Sequence, residues 1–138
     1  MGLGHGSTTD TLDSATSENH FTLVNGYTFG NHLTEVSNTG ELIPELAESF
    51  ESDDAQKWVF NLRQGVEFHN GKTMTSEDVV ASYNHHMGED STSAAKGLLT
   101  QVNSLKADGK NKVIFELENP NADFPFLSLI HISEPTRP

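Results

Sequence analysis

The stretch that decides the fold is residues 57–72, KWVFNLRQGVEFHNGK. Trp58, Phe60 and Leu62 fall on alternate positions, a pattern typical of a β-strand with one buried face. Asn70 and Gly71 then predict a tight turn, because glycine tolerates the positive φ that such turns require. We therefore expect a strand whose apolar face is covered by other parts of the chain.

Turn-forming residues divide the neighbouring sequence into hairpins and helices. Three hairpins are predicted, over residues 32–43, 47–62 and 102–117. Helices are predicted over residues 18–29, 76–87 and 94–99, and residues 1–4 are predicted to be a short strand. Thr75 is the expected N-cap of the second helix, because Glu77 and Asp78 follow it in the first turn. Hairpins followed by helices predict a mixed α/β (α+β) fold rather than a purely parallel sheet.

Composition excludes several classes of protein. Eight basic and twenty acidic residues give a net charge of −12, which repels nucleic acid and anionic lipid. No cysteine occurs, so disulfides, thiolate metal sites and thiol nucleophiles are excluded. Apolar runs are far shorter than the roughly 20 residues that span a bilayer, so no membrane insertion is expected. No Gly-x-Ser-x-Gly motif or paired-histidine metal motif is present, so catalysis is unsupported and we expect neither an enzyme nor a cofactor.

Both ends of the chain differ in style from its interior. Residues 127–138, LSLIHISEPTRP, resemble the translated transposon-end adapter used in DNA library preparation, and we interpret them as a non-native tail. Residues 1–6 lack the basic start, apolar stretch and cleavage site of a secretory leader. We therefore expect a natural protein that is longer at both ends and whose leader peptide is missing from this chain.

Three motifs follow one another within forty residues: IPELAESF at 43–50, the stretch at 58–72, and TSEDVV at 75–80. Together they resemble the signatures of solute-binding protein family 5, the peptide- and nickel-binding components of bacterial ABC importers. The resemblance implies a fragment of lobe I of a periplasmic-binding-protein-like type II fold, in which two lobes close over a ligand. It places the start of the larger subdomain at 1–43 and part of the smaller subdomain at 44–126.

The same resemblance implies the function and the partners. It predicts a monomer, periplasmic or at the cell surface, that captures short peptides and delivers them to ABC permease subunits for transmembrane transport. Asn31-His32-Leu33 stands where many members have Glu-Gly-Leu and is closer to the Asn-x-Leu form of dipeptide-binding members. This departure favours short peptides over other ligands.

Candidate ligand-binding residues lie in two places. The resemblance puts the loop with Ser7, Thr8 and Thr9 at the edge of the cleft, where hydroxyl and backbone groups could meet a ligand. The alternative is an ordinary capped loop. Asn31 and His32 are the second pair, with an amide suited to hydrogen-bond a peptide main chain; the alternative is a satisfied loop pair.

Other residue groups leave further interpretations open. A nickel- or sugar-binding importer component has the same fold, and a secreted metal-dependent hydrolase could be built on His69, His85 and His86. Neighbouring histidines on a helix point about 100° apart, however, and we interpret His85 and His86 as surface residues. Two structural groups are also expected: ion pairs among Glu48, Arg63 and Asp78, and a core that contains Trp58, Phe60 and Phe68.

Overall fold

A computed structural model describes residues 6–8, 10, 13–16, 22, 24, 26, 30–93 and 95–128. The strands are β1 (Thr34–Val36), β2 (Leu42–Pro44), β3 (Ala47–Glu51), β4 (Lys57–Leu62), β5 (Val102–Ala107) and β6 (Lys112–Leu117). The helices whose bounds lie within the described residues are α1 (Ser76–Met87), α2 (Lys96–Leu99) and α3 (Phe124–Leu127), and Ser14–Thr16 form a 3₁₀ turn. β1 and β2 form a two-stranded sheet, and the others form a sheet in the order β3-β4-β6-β5. All pairings are antiparallel, and the mixed α/β fold is confirmed.

The three predicted hairpins are present because local turn chemistry dictates them. In the first, the amide of Gly40 donates to the carbonyl of Ser37 at 3.0 Å, and Gly40 has a φ of 84°. In the third, Gly109 has a φ of 70° in the turn between β5 and β6. Both angles lie where residues with a side chain are strained, so these glycines fix the turns.

The core lies against one face of the four-stranded sheet. Phe60 of β4 and Phe115 of β6 are fully buried, and their ring centroids are 5.4 Å apart. Tyr83 of α1 and Phe124 of α3 meet Phe115 at 5.0 and 5.1 Å. The predicted buried face of residues 57–62 is therefore confirmed, and α1 and α3 are the elements that cover it.

Residues 72–78 position the start of α1. The Asp78 carboxylate forms an ion pair with Lys72 and accepts hydrogen bonds from the amide and the hydroxyl of Thr75. The predicted ion pairs among Glu48, Arg63 and Asp78 are therefore wrong for Asp78. Arg63 instead donates from Nε to the carbonyl oxygen of Glu45 at 3.1 Å.

A buried polar cluster joins α3 to β1. The hydroxyl oxygens of Thr34 and Ser128 are 2.8 Å apart, and both lie within hydrogen-bond distance of the Pro125 carbonyl. The Tyr83 hydroxyl donates to the carbonyl of Ser128 at 3.3 Å. Leu127 and Ser128, the first two residues of the segment interpreted as a tail, thus pack into the fold. The boundary at residue 127 stays a prediction.

Two predicted elements lie largely outside the described residues. The strand predicted over residues 1–4 lies wholly outside them. Within the helix predicted over 18–29, the described residues Thr22, Val24 and Gly26 are helical. The short helix predicted over 94–99 begins at Lys96, and the Ser93 hydroxyl before it accepts the amide of Ala95.

Candidate functional site

The loop with Ser7 and Thr8 is a surface turn. The amide of Ser7 donates to the carboxylate of Asp10, and the amide of Asp10 donates back to the carbonyl of Ser7 at 3.2 Å. Both Ser7 and Thr8 are exposed, whereas Thr9 lies outside the described residues. These two hydrogen bonds are internal to the loop, so they fix its shape without joining it to Asn31.

The segment after this loop is attached to α1. Asp13 accepts the amide of Ala15 at 2.9 Å, and its carboxylate meets His85 Nε2 at 3.0 Å. Since both side chains are substantially exposed, the pair contributes under about 1 kcal/mol to stability. Its effect is to place Asp13 and the turn at Ser14–Thr16 beside α1.

Asn31 and His32 lie at a corner between the two sheets, which we call the Asn31 corner (residues 31–33 and 45–47). Three backbone hydrogen bonds hold it: Glu45 and Ala47 donate to the carbonyl of Leu33, each at 3.0 Å, and Leu46 donates to the carbonyl of His32 at 2.9 Å. His32 is only 6% exposed, whereas Asn31 is exposed. Of the two residues, Asn31 therefore presents its side chain at the surface.

The amide side chain of Asn31 is fixed but not saturated. Nδ2 donates to Glu45 Oε1 at 2.9 Å, and Oδ1 accepts the amide of His32 at 3.2 Å. A side-chain amide has two N–H donors and two acceptor lone pairs. Among the described residues the amide has no further partner, which leaves one donor and one acceptor position in an orientation that Glu45 and His32 impose.

Glu45 is the residue of this corner that sequence reasoning missed. It is 14 residues from Asn31 and belongs to the motif at 43–50, in which no ligand-binding residue was predicted. The predicted hairpin could have indicated this contact. β1 and β2 pair Thr34 with Pro44, which brings the residues before β1 beside those after β2. Extending that register pairs Asn31 with Ala47 and places Glu45, two residues earlier on the same face, diagonal to Asn31.

The histidines separate into different environments. His85 is exposed and faces Asp13, whereas His86 is 4% exposed and its Nδ1 lies 2.7 Å from Ser93 Oγ. The interpretation of His86 as a surface residue is therefore wrong: its side of α1 faces the loop before α2. In the part of the chain that the structure describes, no three His, Asp or Glu side chains are grouped to hold a metal ion.

An acidic surface depression of about 300 Å³ is lined in part by Glu51, Asp53 and Asp54. The carboxylate of Asp54 accepts the amides of Lys57 and Gln56, each at 2.9 Å. These hydrogen bonds lower the pKa of Asp54. Asp54 thus stabilises the turn between β3 and β4, because its carboxylate accepts two backbone amides of that turn.

The aromatic residues of the second motif are structural. Trp58 and Phe60 belong to the buried core, and Phe68 packs against it. Trp58 Nε1 donates to the carbonyl oxygens of Ala55 and Asn121, at 3.1 and 3.2 Å. The predicted core role of all three is confirmed.

Within the described ranges, no helix is long and apolar enough to cross a bilayer.

Comparison with known proteins identifies the family. The family model described as "Bacterial extracellular solute-binding proteins, family 5 Middle" matches residues 41–137, more than half of the chain. The chain belongs to this family of bacterial extracellular solute-binding proteins. The matched range runs through most of the segment 127–138, whose origin stays a prediction.

Individual relatives differ in what their names say they bind. The nickel-binding periplasmic protein of Escherichia coli is 29% identical over 106 residues, which cover 76% of this chain and 20% of that protein. The probable di/tripeptide-binding protein 5 of Pseudomonas aeruginosa is 29% identical over 119 residues, covering 72% of this chain and 23% of that protein. The chain thus spans about a fifth of the length of the curated relatives that it matches.

Solved structures agree with the fold. The PBP AgaA of A. tumefaciens R10, in complex with agropinic acid, superposes with a TM-score of 0.83 at 27% sequence identity. The match covers 91% of this chain and 26% of AgaA. The mixed α/β fold is therefore part of a periplasmic-binding-protein-like architecture, of which this chain represents about a quarter.

Proposed function

We propose that this chain is part of lobe I of a two-lobe extracytoplasmic protein that captures short peptides and delivers them to the permease of an ABC importer. The observation that carries the proposal is the Asn31 corner. It presents one N–H donor and one acceptor position on a fixed amide, which matches the alternating donors and acceptors of a peptide main chain. The di/tripeptide-binding relative supports the same ligand class.

The ligand is proposed to lie at the edge formed by Ser7, Thr8 and Thr9 together with Asn31 and His32. Asn31 contributes its side-chain amide, and His32 orients that amide through its backbone N–H. The exposed loop of Ser7 and Thr8 contributes hydroxyl and backbone groups. Such a site gives general affinity for main-chain groups and little selection among side chains.

Capture by closure needs a second lobe. A ligand shifts an open protein to its closed form only by binding the closed form more tightly. Lobe I therefore supplies one wall of the site, and the additional contacts made on closure supply the differential affinity. We further propose that the whole protein is a monomer with a secretory leader, located in the periplasm or at the cell surface, and that it has no catalytic activity.

Calorimetric titration of the full-length gene product tests this function. We expect Ala-Ala and Ala-Ala-Ala to bind with one-to-one stoichiometry, and Asn31→Ala to weaken both by about ten-fold, because a main-chain hydrogen bond at a closed site is lost. Thr39→Ala, in the exposed turn between β1 and β2, is the control and should leave affinity unchanged.

A nickel-binding importer component is the second candidate, supported by the nickel-binding relative. The same titration with NiCl₂ and with nickel-histidine distinguishes it. Tight metal binding without peptide binding would replace the peptide proposal, whereas peptide binding alone would remove the nickel alternative.

A further inference from the structure

The loop between β4 and α1 contains a tight surface turn at the pair Asn70-Gly71. The amide of Gly71 donates to the carbonyl of Phe68, and the amide of Lys72 donates to Asn70 Oδ1, each at 2.8 Å. Gly71 has a φ of 81°, and residues 70–72 are all exposed. Local hydrogen bonds at the surface thus shape this turn, and such bonds open more readily than those of a buried sheet.

The same pair brings an electrophile and a nucleophile together in sequence. The side-chain amide of asparagine has an electrophilic carbon, Cγ, and the backbone nitrogen of the next residue is the nucleophile that can reach it. A side chain on that next residue obstructs the approach, and glycine has none. An added Cβ at Gly71 would meet no atom within 4 Å, so the surroundings leave the approach open as well. Of the asparagines that the structure describes, Asn70 alone is followed by glycine.

We propose that Asn70 is a site of spontaneous deamidation, independent of the proposed peptide-binding function. Base removes the proton of the Gly71 nitrogen, which then bonds to Asn70 Cγ and closes a succinimide ring. The bond from Cγ to Nδ2 breaks, and that nitrogen takes up protons from water and leaves as ammonia. Water then opens the ring. Cleavage between the Gly71 nitrogen and Cγ gives aspartate, whereas cleavage between that nitrogen and the former main-chain carbonyl carbon gives isoaspartate.

The folded turn slows this reaction without preventing it. The hydrogen bond to the Phe68 carbonyl keeps the Gly71 nitrogen protonated, and the bond from the Lys72 amide holds the Asn70 side chain in place. Both bonds have to open before the ring closes. Because each is exposed and has a modest net stability, we expect the fold to slow the reaction by about ten- to a hundred-fold relative to the unfolded chain.

The position of the turn gives the modification a structural effect. Either product places a new carboxylate close in sequence to Lys72, whose ammonium group pairs with Asp78 at the start of α1. Isoaspartate also lengthens the main chain by one methylene group, within a loop whose two sides are joined by the pairing of Glu67 with Thr73. Deamidation of Asn70 therefore changes both the charge and the length of the segment that leads into α1.

Peptide mass spectrometry of the full-length protein tests the proposal. The protein is incubated over a range of neutral to alkaline pH and then cleaved after glutamate. Asn38 is the internal control, because it is exposed in the turn between β1 and β2 but is followed by Thr39, a β-branched residue. We expect Asn70 to lose its amide at least about ten-fold faster than Asn38. The rate should rise with hydroxide concentration, and isoaspartate should be present among the products.

A parallel incubation in urea measures the protection that the turn provides, with the rate at Asn70 expected to rise about ten- to a hundred-fold. Asn25-Gly26 is a second Asn-Gly pair, and Asn25 lies outside the described residues. Cleavage after glutamate places Asn25, Asn38 and Asn70 on three different peptides, so their rates are read separately.

Three outcomes would overturn the proposal. Equal rates at Asn70 and Asn38 in the folded protein would show that Gly71 gives no advantage. An Asn70 that reacts only in urea would show that the fold prevents ring closure. Formation of aspartate without isoaspartate would show direct hydrolysis of the side-chain amide instead of a succinimide.

Discussion

The Asp78 carboxylate binds back to Thr75, accepting the amide and the hydroxyl of that residue at 2.9 Å each. Thr75 precedes the first turn of α1, where backbone N–H groups have no partner within the helix. Asp78 thus satisfies the start of the helix and places a negative charge at the positive end of the helix dipole. It also holds Lys72 from the preceding turn, so one carboxylate connects two consecutive elements.

Replacement of this carboxylate should destabilise the chain. We expect Asp78→Ala to lower the free energy of unfolding by about 1–2 kcal/mol, the usual cost of losing an N-terminal cap. Urea unfolding followed through Trp58, the single tryptophan of the chain and a buried one, measures the change. Glu77→Ala is the matched control, because Glu77 lies in the same turn and is exposed. Equal effects of the two substitutions would contradict the capping role.

The same group should make stability depend on pH in the acid range. Burial acts to raise the pKa of Asp78, but the hydrogen bonds from Lys72 and Thr75 outweigh it and hold the pKa below the ordinary value of 3.8. A carboxyl group whose pKa is lower in the folded chain than in the unfolded chain stabilises the fold. This stabilisation is complete above the pKa of the unfolded state and is lost as the pH falls through the pKa of the folded state. Urea midpoints should therefore decrease below about pH 4. Asp78→Asn should reduce that decrease, and an unchanged pH profile in this variant would refute the assignment.

The adjacent histidines of α1 provide a second matched pair. We expect His86→Ala to cost about 2–3 kcal/mol, because it leaves a gap in a buried position and removes the side-chain partner of the Ser93 hydroxyl. His85→Ala should cost under about 1 kcal/mol, since its pair with Asp13 is exposed. Thermal and urea unfolding of both variants check the difference. The reverse order would show that the loop before α2 is not held by His86.

Alanine substitutions at two glycines distinguish the effect of backbone strain from the effect of steric crowding. An added Cβ meets no atom within 4 Å at Gly109 or at Gly97. Only Gly109 has a positive φ, so Gly109→Ala should cost about 1–2 kcal/mol while Gly97→Ala, within α2, should be neutral or slightly stabilising. Urea unfolding compares them. Should both substitutions prove neutral, the β5–β6 turn does not require the left-handed conformation.

Local chemistry explains why most of the fold could be predicted. The hairpins and the start of α1 depend on residues within a few positions of one another, such as Gly109 in its turn and Asp78 beside Thr75. The alternation of Trp58, Phe60 and Leu62 likewise reports burial directly. These patterns do not depend on the positions of distant parts of the chain.

Contacts between distant residues could not be predicted in the same way. His86 faces Ser93 because of how the polar loop after α1 folds back, and no periodicity encodes that path. Asn31 was a candidate from the family resemblance, but its contact with Glu45 follows from the hairpin register. The presence of the Glu45 carboxylate beside Asn31 therefore depends on the pairing of the two segments in the fold.

The cluster around Thr34 has a consequence for biosynthesis. The hydroxyl of Thr34 finds its partners 91 and 94 residues later in the chain. At typical translation rates of about 5–20 residues per second, β1 waits on the order of 5–20 s before those groups leave the ribosome. During that interval the side chain of Thr34, which is fully buried in the folded chain, has no cover from this helix, so α3 completes this part of the core last.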